Sequence, residues 1–468
     1  MSDSETNSKR FADSVSRGRR GRPWRFGDRS AVGSRRRFLA AGAVAAAAPM
    51  VIPASALGLN GHVAANDRIV VGAIGCGVRG ISAIGIALDV AECQVAAVCD
   101  VRAPRLEHAQ DRCNNHYAAK HAKGSYRDCQ AYHEYRELLA REDIDVVLLT
   151  PPDHWHGVIY SDAIRAGKDV YGEKPITRTI AEGQALRRLI RQYGTVFQTG
   201  THSRSMARVR HACQLVRNGY LGTIHTIEVS VVSGREYPSI APCDPPKGFD
   251  YDRWTGPAPY VPFDKQRCEW LAMYMISHYC AGFITNWGVH FLDIAQWGCP
   301  EITSKPFTIE GRGEFPQAGM TDTCCRWDVT LSYESGLKVR FTDHSQQPNG
   351  CRFVGDKGWV RVNWGKPGFE ASDPALRNVQ FSAGDVRLHA SPGEAMIGHT
   401  LDLLHCVRTR QEPVAPFEQG HRATTIGNVA DIAVRLRRTL RWDWETESFD
   451  DTQANAMRSR PMREPYTI

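Results

Sequence analysis

A chain of 468 residues is longer than one hydrophobic core usually supports, so two domains are expected. Its composition, 42% hydrophobic and 23% charged, is that of a globular protein, and no apolar run approaches 20 residues, which excludes a multi-pass membrane protein. The formal charge of +7 lies wholly within residues 1–37; the remainder balances at zero and offers no basic face to nucleic acid.

Ser34-Arg35-Arg36-Arg37-Phe38-Leu39 precedes an Ala-rich apolar stretch from Ala40 to Ile52, and Ala54-Ser55-Ala56 follows. The order is that of a charged region, a short apolar region and an A-x-A cleavage site. The S-R-R-x-F-L run resembles a twin-arginine signal. That resemblance implies a signal region over residues 1–56, transport by the twin-arginine export machinery, cleavage after Ala56 and a periplasmic or otherwise exported protein. Retention as a membrane anchor is the main variant. The chain holds 14 cysteines but no C-x-x-C spacing, so no metal site is expected. Most of these thiols read as small buried hydrophobes, with one or two disulfides left open.

The first domain spans residues 67–200. Arg68–Ile74 reads as a buried parallel strand that runs into Gly75-Cys76-Gly77-Val78-Arg79-Gly80, with a helical pattern after it. A second strand, Val95–Val98, leads to Asp100, twenty residues past the last glycine. Each part has a task in holding a dinucleotide. Gly75 allows the tight turn, Gly77 lets the backbone approach the pyrophosphate, and Gly80 lets the helix lie close to the sheet. The helix N-terminus offers free N–H groups to the phosphates. Asp100 suits the ribose hydroxyls and would repel a 2′-phosphate, so NAD is favoured over NADP; Arg102 and Arg105 lie close enough to blur that preference. Helices are expected over Arg105–Lys120 and Tyr132–Ala140, then a strand over Asp145–Leu149. Thr150-Pro151-Pro152-Asp153-His154-Trp155-His156 follows at that strand's carboxyl end, where doubly wound sheets place ligands. A further strand, Lys168–Tyr171, enters Glu173-Lys174-Pro175. Lys174 could bind a substrate hydroxyl and carry its proton, or be a solvated strand-end lysine. Thr179-Ile-Ala-Glu182 reads as a capping box, and strand Thr195–Thr199 closes the unit.

Together these residues, Glu173-Lys174-Pro175 above all, resemble the glucose–fructose oxidoreductase / inositol dehydrogenase (Gfo/Idh/MocA) family from about residue 67 onward. The resemblance implies a Rossmann domain followed by an α/β domain with a large, mostly antiparallel sheet, the active site lying between them. It implies an NAD(P)-dependent oxidoreductase that moves hydride between the nicotinamide and a hydroxyl-bearing carbon of a sugar, polyol or sugar derivative. The family signature Asp-x-Gly-x-His with a further Asp three residues on is matched by Asn286-Trp287-Gly288-Val289-His290-Phe-Leu-Asp293, with Asn286 departing. The catalytic set is therefore Lys174, His290, Asn286 and Asp293. The cofactor set is Gly75, Cys76, Gly77, Val78, Arg79, Gly80, Asp100, Arg102, Thr150, Pro151, His154, His156, Glu173 and Lys174. A small carbohydrate partner and a homo-oligomer are also expected. Two other readings stay open: an NAD-dependent glycosidase acting by transient oxidation and elimination, and a non-catalytic exported sugar-binding protein with the same fold.

The second domain covers residues 201–468. Met206–Asn218 reads as a helix stopped by Gly219. Ile227, Val229 and Val231 alternate with polar residues as in a half-buried strand, and two hairpins are expected at Glu334-Ser335-Gly336 and Gly355–Gly358. Tyr237–Tyr260 reads as a loop whose Trp254 and Tyr260 could stack on a sugar. Gly288–Trp297 has helical spacing that places His290 and Asp293 on one face. The tail is expected to pack back along both domains.

Overall fold

The computed structural model describes residues 67–120, 128–365 and 368–468, all within one compact unit, Ala54–Ile468; the expected signal region and its cleavage site lie outside them. The first sheet comprises β1 (Ile69–Ile74), β2 (Cys93–Cys99), β3 (Gln130–Tyr132), β4 (Val146–Leu149), β5 (Asp169–Gly172) and β6 (Phe197–Thr199). All pairs are parallel, in the order β3-β2-β1-β4-β5-β6. Val- and Leu-rich strands buried on both faces explain the order of assembly: each face needs a cover of helices, and two separate apolar clusters fill those faces. The strand order reverses between β1 and β4, so a crevice opens outside their carboxyl ends.

Two elements differ from the sequence reading: Tyr237–Tyr260, expected as a loop, carries a short helix at Tyr251–Thr255, and the second difference is in the first sheet. Tyr132 is the last residue of β3, and the helix expected from it is only Tyr135–Leu139, capped by the Glu134 carboxylate. β3 is three residues long at the sheet edge, too short and too exposed to carry an apolar period.

The second sheet has nine strands: β7 (Ile224–Val231), β8 (Phe307–Glu314), β9 (Arg326–Tyr333), β10 (Lys338–Asp343), β11 (Gly350–Gly355), β12 (Gly358–Val362), β13 (Phe369–Ala371), β14 (Leu440–Asp443) and β15 (Ser448–Phe449). Their order is β13-β12-β11-β7-β10-β9-β8-β14-β15, antiparallel except for β7 against β10. Both expected hairpins form; Gly336 turns the first at φ +90°, a conformation that favours glycine. Alternate residues of β9 and β10 (Trp327, Val329, Leu331; Val339, Phe341) join helices Gly288–Gly298 and Phe417–Leu436 in one core. The tail does pack on both halves: Leu403 and Leu404 enter the Rossmann cluster, while Ile426 and Val429 enter the sheet core. None of the 14 cysteines is in a disulfide.

Candidate active site

A cavity of about 620 Å³ runs from the glycine turn to helix Gly288–Gly298, a size suited to a bound small molecule. At one end the wall is the backbone of the glycine turn. Gly75 sits at φ +91°, and a Cβ there would lie 2.6 Å from the Thr150 carbonyl oxygen; a Cβ on Gly80 would lie 1.8 Å from the Gly75 carbonyl oxygen. Both positions therefore exclude any side chain. Gly77 instead faces the cavity, with only the Arg105 guanidinium near a built Cβ, and it caps helix Val78–Asp89 without a side-chain partner. The first N–H groups of that twelve-residue helix are thus free to meet a diphosphate. Asp100 lines the cavity at the end of β2. Its Oδ2 accepts the Cys76 N–H at 2.7 Å and its Oδ1 the Arg102 N–H at 2.8 Å, which leaves a lone pair on each oxygen for a ribose hydroxyl. Burial raises the Asp100 pKa, and these two hydrogen bonds oppose the rise. Cradle, free amides and acceptor all fit a dinucleotide.

Three residues of the expected cofactor set turn away from the cavity. The Arg102 guanidinium bonds the Cys268 carbonyl and lies 4.1 Å over the Phe249 ring, so Arg105 is the arginine that faces the ribose end. Cys76 is buried and directs its thiol at the Cys99 carbonyl. His154 is fully buried behind the wall, its Nε2 3.0 Å from the Trp254 carbonyl, and burial lowers its pKa to about 3. His156 does reach the lining, but its ring nitrogens face the carbonyls of Pro175 and Pro151, at 2.6 and 3.1 Å. It braces the two crevice loops against each other.

At the far end, the Lys174 ammonium donates to Asn286 Oδ1 at 3.0 Å and to the Asn286 carbonyl at 3.2 Å. The Asn286 amide in turn donates to Asp153 Oδ2 at 2.8 Å. This relay gives a physical reason for asparagine: one residue must accept from a lysine and donate to a carboxylate, which an ionised aspartate cannot do. Asn286 orients Lys174 rather than His290. His290 shares the lining, with the Trp287 and Trp364 rings beside it and no hydrogen-bond partner for its own ring among the described residues. Burial lowers the pKa of both Lys174 and His290, and the lysine's charge depresses His290 further.

Asp293 departs from expectation. It is fully buried outside the cavity lining and forms a two-pronged ion pair with Arg204, both contacts at 2.8 Å, while Gln296 donates to it at 2.9 Å. Its carboxylate holds the sheet domain to the turn after β6 and is not available to a substrate. The loop aromatics divide as well: Trp254 is buried in an aromatic cluster and touches the cavity, whereas Tyr260 is exposed and outside it.

The sequence reading missed two residues of the lining, Trp364 and His202. Trp364 follows β12, stacks on Phe291 at 4.5 Å and stands edge-on to His290 at 5.1 Å. Arg79, expected in the cofactor set, reaches across the crevice to Glu173 Oε1 (2.5 Å), the Tyr171 hydroxyl (2.8 Å) and His202 Nε2 (2.5 Å). Burial disfavours ionisation of Glu173, but the Arg79 charge overrides it and holds the carboxyl well below its usual range.

A doubly wound sheet with a glycine-shaped diphosphate cradle, joined to a cavity holding a buried lysine and histidine, defines a dinucleotide-dependent enzyme. Matching models bear this out: the NAD-binding Rossmann fold of an oxidoreductase family covers residues 69–201, and the same family's C-terminal alpha/beta domain covers 205–468. The chain belongs to the Gfo/Idh/MocA oxidoreductase family. A glycosyl hydrolase family 109 protein of Shewanella sp. (strain ANA-3) is 34% identical over 116 residues, a quarter of each chain. The uncharacterized oxidoreductase YrbE of Bacillus subtilis is 25% identical over 285 residues, 60% of this chain and 68% of that one. Among solved structures, the aldose-aldose oxidoreductase of Caulobacter crescentus complexed with glycerol superposes with a TM-score of 0.57 at 18% identity, covering 80% of this chain and 99% of that one. The WlbA dehydrogenase of Bordetella pertussis, in complex with NADH and UDP-GlcNAcA, gives 0.57 at 16% identity over 80% and 98%. These likenesses show the fold.

Proposed function

We propose that the protein transfers hydride between NAD(H) and a hydroxyl-bearing carbon of a sugar, polyol or sugar derivative. The observation that carries this reading is Lys174, fixed by Asn286 in the same cavity as His290 and the glycine cradle. The helix after Gly77 would hold the diphosphate and Asp100 the ribose, favouring NAD over NADP. When bound, the nicotinamide supplies the hydride acceptor or donor. Lys174 binds the reacting oxygen and stabilises negative charge on it. His290, kept uncharged by its surroundings, accepts the hydroxyl proton during oxidation and returns it during reduction. Trp287, Trp364 and Trp270 line the cavity and give the apolar face of a carbohydrate ring something to lie against. The solved neighbours bound to glycerol and to a sugar nucleotide support a carbohydrate substrate.

The resemblance to glycosyl hydrolase family 109 proteins supports a second reading, in which transient oxidation loosens a glycosidic bond and the dinucleotide ends unchanged. A sugar and glycoside panel separates them. Steady NADH accumulation with free sugars supports the dehydrogenase, release of an aglycone without NADH supports the glycosidase, and neither product from any compound refutes both. The same reading includes export behind the twin-arginine-like leader and assembly into a homo-oligomer, both resting on the sequence. Periplasmic fractionation of wild type and an Arg35→Lys/Arg36→Lys variant tests the first, and light scattering the second.

A further inference from the structure

His202 lies three residues past β6, in the turn His202–Ser205, and lines the cavity beside Tyr171, close enough to Glu173 and His290 to feel their charges. Its tautomer is settled by its neighbours. Arg79 Nη2 stands 2.5 Å from Nε2, and a guanidinium can only donate, so Nε2 is the accepting nitrogen and the neutral ring carries its proton on Nδ1. The Tyr171 hydroxyl is 2.8 Å from the same Nε2 and donates to Glu173 Oε1 at 2.8 Å, so that side of the ring is committed to a buried Arg79–Tyr171–Glu173 group. Nδ1 has no partner among the described residues. Burial and the Arg79 charge push the His202 pKa far below its ordinary value, so the ring stays neutral.

We propose that the His202 Nδ1–H is a fixed, uncharged hydrogen-bond donor for the carboxamide oxygen of the bound dinucleotide's nicotinamide. The proposal rests on the Arg79–His202 geometry and on the NAD-binding family, not on the sugar assignment. A neutral donor suits an uncharged carbonyl acceptor, and it adds no positive charge beside a ring that is cationic in one redox state. Arg79, anchored beside the diphosphate cradle, thereby couples the cradle to the ring's far end by holding His202 in one tautomer. A sugar hydroxyl is the rival acceptor, but Lys174 and His290 already serve the reacting one.

Two variants separate the donor from the scaffold. His202→Asn places an amide N–H near the Nδ1 position and gives up the contact with Arg79; His202→Gln keeps a polar atom near Nε2 and gives up the donor. NADH and ADP-ribose, which lacks the nicotinamide ring, are titrated into each by fluorescence and calorimetry. The expected result is NADH binding weakened by about 3- to 10-fold in His202→Gln, the scale of one uncharged hydrogen bond. NADH binding by His202→Asn and ADP-ribose binding by both variants should stay close to wild type. Equal losses for NADH and ADP-ribose, a larger loss in His202→Asn than in His202→Gln, or unchanged NADH binding with only a raised sugar KM would each overturn the proposal.

Discussion

The two walls of the cavity are built by different physics. On the Rossmann side, fit depends on what is missing: Gly75 and Gly80 have no room for a methyl group, and the ligand would be met by amides. On the sheet side, fit depends on which of several polar side chains faces inward, and His290 does while Asp293, three residues on, does not. Titratable groups therefore have opposite meanings on the two sides of helix Gly288–Gly298, one chemical and one architectural.

Substitutions can sharpen or break that contrast. Lys174→Met should lower turnover by about 10²- to 10³-fold, the range for losing one donor to a developing negative oxygen, while NADH binding is kept; a variant that turns over normally would remove Lys174 from the chemistry. Asp293→Ala should cost about 3–5 kcal/mol of stability by denaturant titration, because it leaves the Arg204 charge buried and unpaired. Intact stability with a selective loss in kcat/KM would return Asp293 to the substrate site. Asn286→Asp should have the smallest effect, and one that depends on pH. The introduced carboxylate would face Asp153, so the pair's folded pKa rises above the unfolded value of about 3.9. The variant should then match wild type most closely below about pH 4 and lose about 1–3 kcal/mol as pH rises through the raised value. A loss that grows toward acid instead would show that Lys174 outweighs Asp153.

The same contrast explains what could be read without coordinates. The strand–turn–helix around Gly75–Gly80, the strand ending in Asp100, and Glu173-Lys174-Pro175 each declare themselves through local rules of backbone shape and strand ends. Helix Gly288–Gly298 is legible as a helix but its facing is not, because every residue on it except His290 is buried. A helix surrounded by protein has no polar stripe from which to infer its facing. Arg102 and His154 were misplaced for a related reason: chain proximity to the crevice says nothing of where a side chain finds its partner, here the Cys268 and Trp254 carbonyls. His202 and Trp364 carried no motif at all. They meet Arg79 and His290 only because the chain returns to the cavity from β6 and β12, contacts 123 and 74 positions apart in sequence.

The most direct test of hydride transfer uses sugars and polyols carrying deuterium on their hydroxyl-bearing carbons. Each is incubated with the purified protein and NAD, and the dinucleotide is analysed by mass spectrometry. Deuterium should pass from carbon to the nicotinamide ring with wild type and fail to do so with Lys174→Met. Tight NADH binding with no label transferred from any carbohydrate would contradict the account.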